Sequence, residues 1–374
     1  MRTILRDDHE LFRDQVRRFI DTQVVPFHSQ WEHEGIVPKS VWLEAGRQGL
    51  LCVMTPEVYG GGGGDYGHSA VLIEELARAN ATALGFTTHS EIVSNYFVAY
   101  GSEEQKRRWL PQMAAGALVG AIAMTEPGMG SDLRSIRTFF RRDGDHYVVN
   151  GAKAFITNGI NSGVVVVVGK VDPQSRDLTL LCVEDGMEGF TKGRKLEKIG
   201  LKGQDTSELF FDEVRVPEKN RLGDEGRGFR YLSHQLAWER MIIGIRAAAS
   251  IETLLQETID YTRERKIFGQ PVLDYQNTRF SLARAKAEAT MLRAFIDECL
   301  GEILAGNLAP EKAAMAKLLG AEMQNRLLDD FLQLHGGYGF MSEYKIARAW
   351  VDARVARIYA GTSEVMKEII ARTL

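Results

Sequence analysis

A chain of 374 residues with 44% hydrophobic and 26% charged side chains can bury more than one core, so two or three packed domains are expected. Its formal net charge of −4 excludes a basic nucleic-acid footprint. No apolar stretch reaches the ~18–20 residues of a membrane span, and the acidic, amphipathic start "MRTILRDDHELF" has no signal-like apolar core, so an intracellular protein is expected.

Residues 1 to about 120 read as helices with short breaks. In "HELFRDQVRRFI", Leu11, Phe12, Val16, Phe19 and Ile20 recur at helical spacing, which predicts an amphipathic helix that must dock. The glycines at 60 to 64 in "YGGGGGDYG" lack the Lys-Ser/Thr ending of a phosphate loop and read as a mobile surface turn. In "GSEEQKRRWLPQM", Ser102 and Gln105 have capping-box spacing, and Pro111 is expected to bend or end the helix they start. From about 121 to 225 the texture turns β-branched, with turn signals at Asp143-Gly144, Asn150-Gly151 and Asp185-Gly186. The runs "GVVVVVGK", "LTLLCVEDG" and "SELFFDEVRVP" read as strands. With no long helix between them they imply antiparallel pairing in a small barrel or sandwich. Long helical patterns follow at roughly 229–266, 275–305, 311–335, 342–356 and 362–372. The expected class is therefore α+β: a helical domain over 1–120, an antiparallel β-barrel domain over 121–228 and a four-helix-bundle domain over 229–374. Cys52, Cys182 and Cys299 are far apart without CxxC spacing, so buried thiols are expected instead of a disulfide or a metal site.

"TEPGMGSDL" is the stretch suited to a phosphate. Gly128 and Gly130 permit close backbone approach, and Thr125 and Ser131 offer neutral donors for a pyrophosphate or a ring carbonyl. Leu133 stands where a third glycine would complete GxGxxG, which disfavours a nicotinamide Rossmann site. Five separated segments, "AIAMTEPGMGSDL" (121–133), "NGAKAFITNG" (150–159), "ERKIFGQ" (264–270), "LQLHGGYGF" (332–340) and "IYAGTSEVMKEIIAR" (358–372), together resemble the signatures of the acyl-CoA dehydrogenases, most of all the long-chain branch. The resemblance covers essentially the whole chain in order. It implies FAD, α,β-dehydrogenation of an acyl-CoA in fatty acid β-oxidation, an electron-transfer flavoprotein as acceptor, and a homotetramer. Without a targeting peptide a bacterial-type cytoplasmic protein is expected, or a mitochondrial matrix protein if the chain is a mature eukaryotic form.

Carried over residue by residue, the resemblance puts Met124, Thr125 and Ser131 beside the flavin and its pyrophosphate, and Phe155, Ile156 and Thr157 against the ring. Arg265, Phe268, Gln276, Gln333, Gly336 and Gly337 would reach the FAD of a neighbouring subunit, and Thr362 and Glu364 would add flavin contacts. Ser131, Arg240, Tyr359, Ala360, Gly361 and Arg372 would meet the acyl-CoA. Dehydrogenation removes an α-proton from a thioester while hydride leaves Cβ for flavin N5, so a general base is required. Many members carry a glutamate at the position of Ala360, whose methyl group accepts no proton. In "QLAWERMIIG", Glu239 lies on an apolar helical stretch, where burial would raise its pKa; the long-chain and isovaleryl-type members carry their base on this helix in an "ER" pair. Glu239 is therefore the expected base, and the stretch 88–98, with small Ser90 and Ser94, the expected far wall of the acyl pocket. A branched-chain or terpenoid acyl-CoA dehydrogenase, an acyl-CoA oxidase and a non-catalytic flavin-binding scaffold stay open.

Overall fold

The structure, a computed structural model, describes residues 2–374. Its N-terminal part holds α1 (Asp7–Phe19), α2 (His28–Glu34), α3 (Lys39–Arg47), α4 (Tyr66–Arg78), α5 (Ser94–Tyr100) and α6 (Glu103–Ala114). Val16, Phe19 and Ile20 dock α1 as the periodicity predicts, whereas Leu11 stays exposed. The capping box at α6 is formed: the Ser102 N–H donates to Gln105 Oε1 at 2.9 Å and the Gln105 N–H to Ser102 Oγ at 3.2 Å. Pro111 does not end this helix, which runs to Ala114. The lost bond falls at Arg107, one turn earlier on the exposed side. The glycine run is not a free turn either. The Gly62 and Gly64 N–H groups donate to the Cys52 and Val53 carbonyls, and a Cβ on Gly61 would sit 2.2 Å from the Thr55 carbonyl oxygen. These residues are glycine because two backbones touch.

The middle part forms two sheets and no closed barrel. Strands β1 (Val119–Ala123), β4 (Ser162–Gly169) and β5 (Thr179–Glu184) make one, in the order β1-β4-β5; β2 (Phe139–Asp143), β3 (His146–Thr157), β7 (Thr206–Pro217) and β6 (Phe190–Lys195) make the other, in that order. The second sheet is antiparallel throughout, but β1 pairs with β4 in parallel, contrary to expectation. The β2–β3 hairpin lies within the connection from β1 to β4 and supplies the length a parallel return needs. The valine run is continuous because β4 is covered on both faces. Val164, Val166 and Val168 pack toward Tyr96, Phe97 and Trp109, while Val165 and Val167 pack on Phe140, Leu209 and Phe211 of the other sheet. Asp143-Gly144 turns the β2–β3 hairpin, but Asn150-Gly151 is no turn. It lies inside β3 at a register shift, with Gly151 at φ +150°.

The C-terminal part is helical: α7 (Gly228–Glu264), α8 (Gln276–Leu304), α9 (Pro310–His335), α10 (Lys345–Ala353) and α11 (Ser363–Ala371), with a short β8–β9 hairpin (Lys266–Ile267, Gln270–Pro271) between α7 and α8. Three helices are long and two short. One apolar core joins α4 to α7, α8, α9 and α10 through Ile73, Ile245, Leu292, Leu327 and Ile346, so the N-terminal and C-terminal helices share it. All three cysteines are buried and unpaired.

Candidate active site

At 37 residues α7 spans about 55 Å, and its middle is buried on nearly every side. Glu239 is 7% exposed there. Its Oε1 accepts one hydrogen bond, from the Tyr96 hydroxyl at 3.1 Å, and no ion pair with Arg240 forms. Adjacent residues on a helix point about 100° apart, so the neighbouring guanidinium cannot turn onto the carboxylate. Burial pushes the Glu239 carboxyl up to about 7, with the Tyr96 bond and the Arg240 charge only partly opposing it. A carboxyl so poised can take a proton near neutral pH.

Ala360 packs near the same stretch of α7. Together with Tyr359 it packs on the small cluster of Ile243, Ala321 and Ala356, and Ile243 is one turn along α7 from Glu239. Two turns from Glu239, Arg246 donates to the Tyr359 hydroxyl and to Thr87 Oγ1, each at 3.1 Å. The segment 87–96 thus crosses α7 between two polar anchors, Thr87 on Arg246 and Tyr96 on Glu239. Ser90 and Ser94 of the expected acyl wall are buried in it. Between them sits a second buried carboxyl, Glu91, bonded to the Ser69 hydroxyl and pushed up to about 7 by burial.

The loop 124–131 is held against β3 by main chain and charge. The Ala154 N–H donates to the Thr125 carbonyl, and buried Lys153 reaches the Met124 carbonyl at 3.0 Å and the Glu126 carboxylate at 2.9 Å. Glu126 also accepts from the Arg137 and Thr138 N–H groups and the Thr138 hydroxyl. Burial lowers the Lys153 ammonium to about 8, opposed by Glu126. This clamp leaves the Thr125 and Ser131 hydroxyls without a hydrogen-bond partner among the described residues, and a Cβ on Gly128 or Gly130 would meet open space. Phe155, at φ +61°, is turned out of the sheet and is 69% exposed. Free donors, an open cradle and an uncovered aromatic ring fit a flat ring system bearing a pyrophosphate. Ile156 is a correction: its side chain is in the core between the sheets, so only its backbone can face a cofactor.

The remaining predicted residues fall into two places. Thr362 caps α11, accepting from the Val365 N–H at 3.3 Å; Glu364 is exposed in the first turn, and exposed Arg372 pairs with Glu368 at the other end. Arg265, Phe268, Gln276, Gln333, Gly336 and Gly337 gather at the far end of the bundle. There the Arg265 guanidinium lies over the Tyr338 ring at 5.6 Å, Tyr261 stacks on His335 at 4.2 Å, and Phe268 is 97% exposed at φ +47°. Arg265 is 26 residues along the chain from Glu239, about 39 Å at helical rise. Within one chain the bundle-end residues do not meet Glu239. The sequence reading missed Tyr96, Glu91, Arg246 and the Glu126–Lys153 pair. The visible signal for Lys153 was a lysine between two alanines in a strand-like stretch.

Comparison with known proteins agrees with this geometry. Residues 6–117 match the acyl-CoA dehydrogenase N-terminal domain, 121–214 the middle domain and 226–374 the C-terminal domain. The mitochondrial long-chain specific acyl-CoA dehydrogenase of Sus scrofa is 47% identical over 378 residues, covering 100% of this chain and 88% of that protein. Among solved structures, an acyl-CoA dehydrogenase from Geobacillus kaustophilus superposes with a TM-score of 0.98 at 44% identity, covering 100% of this chain and 99% of the other. A glutaryl-CoA dehydrogenase from Mycobacterium smegmatis in complex with FADH2 gives 0.92 at 29% identity, with 99% and 95% coverage. The chain belongs to the acyl-CoA dehydrogenase family, oxidoreductases that act on a CH–CH bond.

Proposed function

We propose that this chain is an FAD-dependent dehydrogenase of medium-to-long-chain acyl-CoA thioesters acting in fatty acid β-oxidation, with Glu239 as the general base. The observation that carries the assignment is the buried, nearly unpartnered Glu239 carboxyl, one helical turn from the residue that packs on Ala360. Bound FAD supplies the hydride acceptor. The chain's own residues do the rest: Glu239 takes the α-proton, Tyr96 orients its carboxylate, and the Ala360 N–H polarises the thioester carbonyl. Thr125, Ser131 and Phe155 would hold the flavin, and Arg240 and Arg372 the acyl-CoA. The chain-length reading rests on the 47% identity to the long-chain enzyme.

The flavin site needs a second copy. The groups at the bundle end lie about 39 Å along α7 from Glu239. Exposed Phe268, Phe280, Phe340 and Met341 crowd that end and suit a chain-to-chain contact. A homotetramer, or at minimum a dimer, is therefore proposed, with an electron-transfer flavoprotein taking the electrons. The test is anaerobic mixing with octanoyl- or palmitoyl-CoA. A yellow protein that bleaches, and whose Glu239→Gln variant keeps FAD yet bleaches at least ~10²-fold more slowly, supports the reading. A colourless protein would favour a scaffold, a sharp butyryl-CoA preference would remove the chain-length assignment, and a flavin-saturated monomer would remove the shared site.

A further inference from the structure

Helices α7 and α9 cross closely at a glycine pair: a Cβ on Gly320 would lie 3.2 Å from the Gly244 Cα and 3.2 Å from the Ala247 Cβ. One turn from that crossing on each helix stands a buried cation, Arg240 on α7 and Lys317 on α9. Lys317 has no exposed surface, and its Nζ donates to the Gly361 carbonyl oxygen at 2.6 Å. The Arg240 Nε has no partner, nor do the Arg357 Nε and the Ser363 hydroxyl nearby. Buried donors left unpaired are rare and call for an explanation.

The carbonyl that Lys317 holds belongs to an unusual turn. Ala360 is at φ +52° and Gly361 at φ +93°, so an alanine is kept in left-handed backbone that costs an L-residue about 1–2 kcal/mol. Such a residue stays there only when its surroundings fix it. The Lys317 bond to the next carbonyl is a fixing contact, and it comes from a helix other than the one the turn leads into. The positive charge is only partly compensated. Burial foremost, then Arg240, lower the Lys317 ammonium to about 8; Arg357 adds to this, while Glu364 and Glu322 oppose it.

We infer that Lys317 is a positioning residue for α-proton removal: by holding the Gly361 carbonyl it fixes the Ala360 turn on the thioester, and its charge, with that of Arg240, favours the enolate-like species. In that step the α C–H bond breaks, the proton goes to the Glu239 carboxylate, and the electron pair is left on the thioester. A neighbouring positive charge and a correctly placed N–H both stabilise this form and not the neutral thioester. The inference rests on the function proposed above.

The test uses the FAD-loaded protein and a 3-thia acyl-CoA, whose β-sulfur acidifies the α-proton and prevents hydride transfer. Binding then reports deprotonation alone, as a long-wavelength absorption between the enolate and the flavin. Lys317→Met should raise the apparent pKa of the bound analogue by about one unit and slow reduction by a true substrate about tenfold, with KM changed far less. Lys317→Gln restores a donor without the charge and should recover part of the shift; if the methionine variant does not fold, it carries the same measurement. An analogue pKa unchanged in Lys317→Met, or a loss seen in KM alone, overturns the inference. Glu239→Gln separates the two claims. If it still deprotonates the analogue, the base assignment fails; if it blocks deprotonation while Lys317→Met changes nothing, only the role of Lys317 fails.

Discussion

Glu74 and Glu239 are both glutamates buried at the seam between the N-terminal and C-terminal helices, and their environments drive them in opposite directions. Glu74, on α4, lies among three guanidinium groups: Arg13 at 3.0 Å, Arg293 at 2.8 Å, and Arg2. Burial alone would raise its pKa, but those charges overcome it and hold the carboxyl below its usual value. Glu239 is equally buried yet has one hydroxyl and no ion pair, so burial wins. Burial therefore does not mark a base. A carboxyl surrounded by arginines is fixed as an anion and serves the packing, whereas one left with a single neutral donor can exchange a proton.

Breaking the first environment should give the largest effect. Glu74→Gln removes the carboxylate that three half-buried arginines share, leaving them Asp297, Glu75 and Glu252 as partners, and should cost about 1–3 kcal/mol in urea unfolding, with flavin bleaching per folded molecule unchanged. A cost under about 1 kcal/mol would mean that the network is solvent-screened and that the contrast with Glu239 is overstated.

Weakening the second environment acts on chemistry. Tyr96→Phe removes the bond that favours the Glu239 anion, so its apparent pKa should rise by about one unit and the reduction rate at pH 7 fall about fivefold, recovering toward pH 9. A loss that persists at pH 9 would assign Tyr96 to substrate placement instead. Ala360→Glu alone should not speed the wild type, since two carboxylates aimed at one α-carbon repel. In Glu239→Gln with Ala360→Glu a carboxylate returns from another wall, and partial recovery on shorter substrates is expected. The left-handed backbone at Ala360 is no harder on glutamate than on alanine. Single-turnover bleaching reads both variants.

A further effect is a tilt in stability with pH. Groups such as Glu74, with a lowered folded pKa, contribute stability that is present above about pH 4.5 and lost as pH falls through the folded value. Glu239 and Glu91, raised to about 7, bind protons more tightly when folded, so they stabilise below the unfolded value and this contribution is lost as pH rises toward 7. Unfolding scans should show Glu239→Gln losing less stability than the wild type between pH 5 and about pH 8. Equal slopes would place the carboxyl in a wetter site than the structure gives it.

Much of this was legible beforehand because it is local. The capping box at Ser102, the valine run of β4 and the apolar stretch around Glu239 depend on neighbours a few residues apart. The failures involve partners far along the chain. The parallel register of β1 on β4 depends on where the β2–β3 hairpin folds, Asn150-Gly151 becomes a bulge where a Cβ on residue 151 would sit 2.6 Å from Thr138 Oγ1, and Pro111 is tolerated because the missing bond is on an exposed side. The same holds for the site. Glu239 and Ala360 could be paired by resemblance, but Tyr96, 143 residues from Glu239, could not. Lys317 was partly visible as a lysine in the apolar stripe of Ala313, Ala316, Gly320 and Ala321; its acceptor, Gly361, was not.

The most direct measurement is the pH profile of flavin reduction at low substrate, followed in a single turnover for the wild type and Glu239→Gln. Under these conditions the rate reports ionisations of the free enzyme. The wild type should rise through an apparent pKa of about 7 and level off above it, while Glu239→Gln should be slow and without that limb. A wild-type profile that is flat across neutral pH, or a Glu239→Gln variant that keeps the same limb, would contradict Glu239 as the base.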